Sequence, residues 1–201
     1  MNILVIVRQV PDVVEELEVA ADGKSLDSEF LRMIISESDD HALEEALLLK
    51  ERHGGKATVL APDAPDIDDA LYSALAKGAD RAVKVEGIEG RRSTRDVAAQ
   101  LAQVIASQGD SLAADLVLTG VQAIEDLDGL MAPLLAHHLN LPHVAIVTKV
   151  TVDEAARKVS ALREFAGGVR GEFELPLPAV LGIQAAEKPP RYVPVLSLIH
   201  I

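Results

Sequence analysis

The residue types and spacing most readily turned to chemistry lie in one stretch, Gly120-Val121-Gln122-Ala123-Ile124-Glu125-Asp126-Leu127-Asp128-Gly129. An apolar, β-branched run ends at Gly120, a short polar loop follows, and helical patterning resumes from Leu130 to Leu139. A loop between a strand end and a helix start offers backbone N–H groups, and with the helix dipole these attract a phosphate. Gly120 has no Cβ, so a ligand can approach its backbone closely. The plainer alternative is an ordinary strand-to-helix connection.

Other side chains invite chemistry and fail on geometry or company. Glu125, Asp126 and Asp128 could ligate a divalent cation, but carboxylates this close on one loop are more commonly solvated or capping groups. Asp128 is placed to cap the helix that follows, where its charge would repel a nearby phosphate. His137, His138 and His143 suggest zinc, yet adjacent residues on a helix point about 100° apart. With no cysteine to complete a site, they read as surface histidines. In Ser36-Glu37-Ser38-Asp39, Ser38 or Asp39 can cap the helix that begins there by accepting from its free N–H groups. No nucleophile elbow, Walker lysine loop or zinc-protease helix is present. The chemistry on offer is binding, not acid–base or nucleophilic catalysis.

These residues need a frame. Ile3 to Val7 is an unbroken aliphatic run, the pattern of a strand buried on both faces, and Pro11-Asp12 ends it. Glu16 to Val19 and Lys24 to Leu26 read as a β-hairpin turning at Asp22-Gly23. A helix from about Asp40 to Arg52 stops at Gly54-Gly55. Ala42, Leu43, Ala46, Leu47 and Leu49 form its apolar face, leaving Glu44, Glu45, Glu51 and Arg52 mostly outside.

Then come a strand (Ala57 to Leu60), a helix (Ile67 to Lys77), a strand (Ala82 to Val85), a Ser93-capped helix (Ser93 to Gln108) and a strand (Asp115 to Thr119). Pro133 is tolerated only in a first helical turn, which puts the next helix start near Gly129 to Ala132. This alternation predicts an α/β fold, a Rossmann-like doubly wound parallel sheet. After Pro142, the segments Val144 to Val152, Lys158 to Phe165, Gly171 to Leu175 and Ala179 to Ile183 follow without helices, and predict an antiparallel C-terminal extension. Residues 1–195 are expected to form one domain, with 196–201 an atypical tail.

The chain has 201 residues and a net charge of −13, from 32 acidic against 19 basic residues. Such a surface repels nucleic acid and anionic lipid, whose binding rests on Lys and Arg. A bound nucleotide must then be held by local backbone dipoles. Aromatic residues are 2% of the chain and Trp is absent, too few to stack a flavin ring unaided. Most of any flavin site should come from a partner. No apolar run reaches a membrane span, and no basic leader follows Met1, so a cytoplasmic location is expected. The absence of cysteine excludes disulfides, thiol catalysis and Cys-ligated clusters.

Gly120-Val121-Gln122-Ala123-Ile124-Glu125-Asp126 resembles the Gly-Lys-Gln-Ala-Ile-Asp-Asp loop of the electron transfer flavoprotein beta subunit family. Other segments match in order. Met1 to Val10 is similar to the family's opening strand, Ala42-Leu43-Glu44-Glu45-Ala46 to its Ala-Val-Glu-Glu-Ala helix, and Ala74 to Arg81 to its Ala-Leu-Ala-Met-Gly-Ala-Asp-Arg. Arg163-Glu164 with Gly167-Gly168, Leu177-Pro178-Ala179-Val180 and Pro190-Arg191-Tyr192 complete the set.

The resemblance implies the beta subunit of a heterodimeric electron carrier, not an enzyme in its own right. The alpha subunit would hold most of the redox FAD. This chain would cover that flavin and bind AMP, or the ADP half of a second FAD in bifurcating branches. Electrons would pass from client dehydrogenases to a membrane or other acceptor. The resemblance puts the nucleotide against Gly120, Val121, Gln122, Ala123, Ile124, Asp126 and Gly129. Ser36, Ser38 and Asp39 stand where the family's Asn-Pro-Phe-Asp meets the adenosine.

Arg163 and Glu164 would lie toward the alpha subunit, and the leucine that anchors client dehydrogenases would fall at Ala185 or Glu187. This chain departs from the family at Val121, where the common loop has lysine, and at Ala166, where it has aspartate before Gly-Gly. Ser-x-x-Asp at 36–39 is closer to the nitrogen-fixation-linked branch, which raises FAD as an occupant. The tail at 196–201 does not resemble the family and reads as truncated or naturally short. Two rivals are a nucleotide-binding regulator of universal-stress type and an adenylating enzyme. The first needs a Gly-rich stretch near the C-terminal strand and the second a Ser-Gly-Gly loop after the first strand; neither is present.

Overall fold

The structure, a computed structural model, describes residues 1–14, 16–27, 31–88 and 93–193. The expected tail at 196–201 lies outside the described residues. Asn2–Ile6 forms β1, followed by Gln9–Pro11 (β2), Met33–Ile35 (β3), Glu37–His53 (α1), Lys56–Pro62 (β4), Ile67–Lys77 (α2) and Arg81–Val85 (β5). Thr94–Ser107 (α3), Leu116–Gly120 (β6), Met131–Leu139 (α4), His143–Asp153 (β7), Lys158–Glu164 (β8), Arg170–Pro176 (β9) and Ala179–Ile183 (β10) complete the chain. Eight strands form one sheet in the order β5-β4-β1-β6-β10-β7-β8-β9, and β2 pairs with β3 in a separate antiparallel ribbon.

Strands β5 through β7 run parallel, and β7, β8 and β9 are antiparallel. The α/β class with antiparallel C-terminal strands is as the sequence predicts. One strand differs in detail. Ala179–Ile183 does not extend the antiparallel edge but inserts between β6 and β7, parallel to both. All five of its residues are buried, the signature of a central strand covered on both faces. The 11-residue β7 spans both regimes, its first half pairing with β10 and its second with β8.

Side chains alternate across β1. Ile3, Val5 and Val7 pack with Leu43 and Leu47 of α1 and Ile67 and Leu71 of α2, whereas Leu4 and Ile6 pack with Leu101 of α3 and Met131 and Leu135 of α4. Two cores on opposite faces of one sheet result, and each fully buried Leu or Ile contributes roughly 1.5–3 kcal/mol. This rigid sheet aligns the carboxyl ends of β1, β4 and β6.

The expected hairpin keeps its turn, where Asp22 accepts from Lys24 N and Ser25 N, but its strands shrink to a single bridge between Val19 and Leu26. Two exposed strands without a third to pack on do not hold a ladder. Helix α1 begins at Glu37, three residues before the expected Asp40. Pro133 lies in the first turn of α4, as its chemistry requires. Among the described residues no helix is long and apolar enough to cross a membrane.

Candidate functional site

Arg8 lies two residues beyond β1, at the carboxyl end of a central strand whose residues Ile3 to Ile6 are buried. Its guanidinium reaches two carboxylates from distant elements. Nε donates to Asp39 Oδ2 at 2.9 Å, Nη2 to Asp39 Oδ1 at 2.9 Å, and Nη1 to Asp126 Oδ2 at 3.1 Å. The Arg8 backbone N–H also donates to Asp39 Oδ2, at 2.8 Å. Asp39 is fully buried and Asp126 is 5% exposed. Burial works against the Arg8 charge, but Asp39 and then Asp126 outweigh it and hold the pKa above its ordinary value. The cluster joins β1, α1 and the β6–α4 loop.

Two capping expectations are corrected by these contacts. Neither Ser38 nor Asp39 caps α1: the helix starts after Ser36, without a side-chain capping bond. Asp39 is instead taken up by Arg8 and by Gly120, whose N–H donates to Oδ1 at 2.8 Å. Asp126, not Asp128, receives the free donors of α4, Leu130 N at 3.0 Å and Met131 N at 3.1 Å. Burial decides between the two, because Asp128 is exposed and Asp126 faces inward beside Arg8.

The loop has less free backbone than its sequence suggests. The Gly120 N–H is held by Asp39, and the Val121 N–H donates to Ile183 O at 2.8 Å. Ala123 and Asp126 bond to each other across the loop. Among the described residues, the N–H groups of Gln122, Ile124, Glu125 and Leu127 have no partner, which leaves them to a ligand or to water. Gly129 turns the loop back at φ +65°, where a Cβ would fall 2.7 Å from Val121 O.

Two cavities adjoin this cluster. A crevice of about 540 Å³ opens at the carboxyl ends of β1 and β4, next to the β6–α4 loop, and includes Arg8, Gln9, Val10, Pro62, Thr94, Ala123 and Asp126. A smaller cavity of about 340 Å³ is lined by Ser38, His41, Val121, Gln122, Ile146 and Gln184. The ten sequence-predicted site residues therefore divide. Ala123 and Asp126 line the crevice, and Ser38, Val121 and Gln122 line the smaller cavity. Ser36, Asp39 and Gly120 are buried and line neither, Ser36 donating through Oγ to Gln122 O at 3.4 Å. Ile124 is exposed and Gly129 shapes the loop. His137, His138 and His143 lie on the surface. Among the described residues, no three His, Cys, Asp or Glu side chains are arranged to hold a metal ion.

Sequence reasoning missed Arg8 as a site residue. Its signal was an arginine abutting five apolar residues at the end of a central strand. It also put Glu44 and Glu45 outside, whereas both are buried beneath the segment 184–193. Arg191 grips Glu44 through Nη2 to Oε1 at 2.8 Å and Nε to Oε2 at 2.9 Å, and reaches Glu51 at 2.8 Å. Glu187 N donates to Glu45 Oε2 at 3.0 Å. Burial pushes the Glu45 carboxyl up; it acts in the same sense on Glu44, but Arg191 outweighs it and holds that carboxyl below the usual value. Arg163 and Glu164 sit at the β8–β9 turn, with the Arg163 guanidinium 4.8 Å from the centre of the Phe165 ring.

In strand order, β1 has β4 on one side and β6 on the other, so the chain winds both ways from it. The crevice lies at the carboxyl ends where this reversal falls, the position in which doubly wound α/β proteins take their ligands. Fold and crevice thus define a doubly wound α/β protein with a ligand crevice at its switch point.

Comparison with known proteins narrows this class. Residues 27–194 match the family model described as the electron transfer flavoprotein domain. The chain is 36% identical over 195 residues to the electron transfer flavoprotein subunit beta of Methylophilus methylotrophus, covering 96% of this chain and 72% of that protein. It is 34% identical over 200 residues to the subunit of the same name from Clostridium acetobutylicum, covering 97% and 73%. With the protein FixA of Azorhizobium caulinodans it shares 34% over 173 residues, covering 85% and 61%. The chain belongs to the electron transfer flavoprotein beta subunit family. The universal-stress and adenylating readings fall away.

Proposed function

We propose that this chain is the beta subunit of a heterodimeric electron carrier, pairing with an alpha subunit that holds most of the redox FAD. In this reading it binds an adenine nucleotide, AMP or the ADP half of a second FAD, in the 540 Å³ crevice. One observation carries the nucleotide assignment: in a family member, a cavity of ligand size lies at the switch point, beside the loop that resembles the family's phosphate loop.

The residues present fit the adenosine part of such a ligand. Val10, Met33, Pro62, Pro65 and Val97 give the crevice apolar surface for a base, and the free N–H groups of Ile124 and Glu125 suit a phosphate at its edge. Among the described wall residues, Asp63, Glu125 and Asp126 outnumber Arg8, which works against a phosphate deep in the crevice. None of the described residues lining the crevice is aromatic, and in this reading the isoalloxazine of the redox FAD belongs mainly to the partner. That flavin supplies the one- and two-electron chemistry; this chain binds, covers and orients. Client dehydrogenases, with Ala185 and Glu187 near their docking position, and a cytoplasmic location are parts of the same proposal.

Co-expression with the alpha subunit tests the division of labour. The expected result is a yellow heterodimer and a colourless chain when expressed alone. A lone chain that purifies as a tightly FAD-loaded monomer would overturn it.

A further inference from the structure

We infer that His41 is a proton-sensitive latch on the segment 184–187, holding it against α1 while the imidazole is neutral and releasing it when Nδ1 takes a proton.

The segment that leaves β10 at Gln184 and runs to Val193 is neither helix nor strand. Its first two N–H groups, of Gln184 and Ala185, donate to Val147 O. Beyond them, every backbone N–H bond it donates among the described residues goes to a side chain of α1. Ala186 N donates to His41 Nδ1 at 3.2 Å, Glu187 N to Glu45 Oε2 at 3.0 Å and Arg191 N to Glu44 Oε2 at 3.0 Å. His41, Glu44 and Glu45 are three and four residues apart, so one face of the helix presents all three acceptors.

These acceptors answer acid differently. An imidazole nitrogen accepts only without a proton, so the bond from Ala186 puts the ring proton on Nε2. A proton on Nδ1 turns the acceptor into a donor, and two N–H groups then face each other. Histidine is the side chain whose ordinary titration falls between about pH 5 and pH 8. Burial pushes the Glu45 carboxyl up. Its proton can sit on Oε1, which has no partner among the described residues, and leave Oε2 accepting. Against the opposing effect of burial, the fork from Arg191 holds Glu44 below the usual value. Acid therefore frees the Ala186 end and leaves the Arg191 end in place.

Charged groups of both signs share the groove beside His41. Glu37 and Asp40 come from α1, Asp66, Asp69 and Lys77 from α2 and the residue before it, Arg32 from the approach to β3, and Arg191 from the segment itself. Among the described residues none of them is paired with the imidazole, so the bond from Ala186 is the one that acid changes. Its loss should speed exchange of the Ala186 amide about threefold to tenfold. Ala185 and Glu187, which the reading above puts near client docking, lie on the released stretch; the latch itself does not depend on that reading.

Amide hydrogen exchange of the 201-residue chain, followed by NMR from about pH 7.5 to about pH 5 and corrected for intrinsic rates, tests the latch. The imidazole nitrogen shifts report the protonation of His41 in the same samples. The expected result is that Ala186 loses protection by at least about threefold as His41 takes its proton, while Arg191 stays within about twofold. In His41→Asn, whose amide oxygen accepts at any pH, Ala186 should stay within about twofold across the range. Unchanged protection of Ala186 while His41 titrates overturns the inference, as does an imidazole that stays neutral down to about pH 5. So does an equal loss at Ala186 and Arg191, or a folded His41→Asn variant with the wild-type pH profile. The wild-type series decides the matter even if His41→Asn does not fold.

Discussion

Gly120 and Asp39 are in direct contact across two elements: the glycine N–H donates to the carboxylate at 2.8 Å, and a Cβ on Gly120 would stand 2.4 Å from the same oxygen. The first turn of α1 thus closes on the end of β6 with no room for a side chain. The glycine is needed by the fold before any ligand arrives. Gly120→Ala should destabilise the protein by about 1–3 kcal/mol through overpacking, lowering the melting temperature by roughly 2–4 °C per kcal/mol. The loss should be the same with and without nucleotide. An unchanged melting temperature would mean that the contact gives way freely.

Arg8 is the only described cation bonded to Asp39 or Asp126. Arg8→Met leaves two buried carboxylates without a counter-charge and should cost about 3–5 kcal/mol in urea unfolding. Arg8→Lys keeps the charge but cannot fork to both carboxylates, so it should fall between methionine and wild type. Equal stability of all three proteins would rule out a structural ion cluster.

Glu44 and Glu45 are adjacent on α1 and should titrate in opposite senses. The folded-state pKa of Glu45 is raised by burial, so its stabilising contribution is present below the unfolded value of 4.5 and is lost as pH rises through the folded value. That of Glu44 is lowered, burial notwithstanding, by Arg191, so its contribution is present above 4.5 and is lost as pH falls through the folded value. Glu45→Gln should therefore raise the melting temperature at pH 7 relative to wild type, with a smaller gain at pH 4. Glu44→Gln should lower it at pH 7, with a smaller loss in acid. Parallel pH profiles for the two variants would contradict the assignment.

Val121 lines the smaller cavity, apart from Ala123 and Asp126 in the crevice. Restoring the family's lysine with Val121→Lys should then leave AMP affinity within about twofold, because the new cation stands on the wrong side of the loop. Tightening by as much as about 1 kcal/mol, the upper range for an exposed pair, would instead put the phosphate near Val121.

The frame of this molecule could be read from its sequence because it rests on local pattern. The aliphatic run from Ile3 to Val7 announces a doubly covered strand, and Pro133 fixes where α4 can begin. What could not be read depends on partners far away in the chain. Asp39 has the type and position of a helix cap, and only Arg8, 31 residues earlier, and Gly120, 81 residues later, reveal that it is a buried counter-ion. Glu44 reads as solvent-facing until Arg191, 147 residues on, covers it. The run Ala179–Ile183 is equally apolar beside parallel or antiparallel neighbours, so its central place in the sheet was not legible.

The central claim is that the crevice beside Ala123 and Asp126 holds an adenine nucleotide. Thr94 lines it from the start of α3 and is only half-buried, so Thr94→Trp should fill the space without opening the core. Titration of AMP into both proteins is the direct measurement. The predicted result is saturable one-to-one binding by the wild type and at least about a tenfold loss, about 1.4 kcal/mol, in Thr94→Trp at unchanged melting temperature. Equal affinity in the two proteins, or no binding by the wild type, would contradict it.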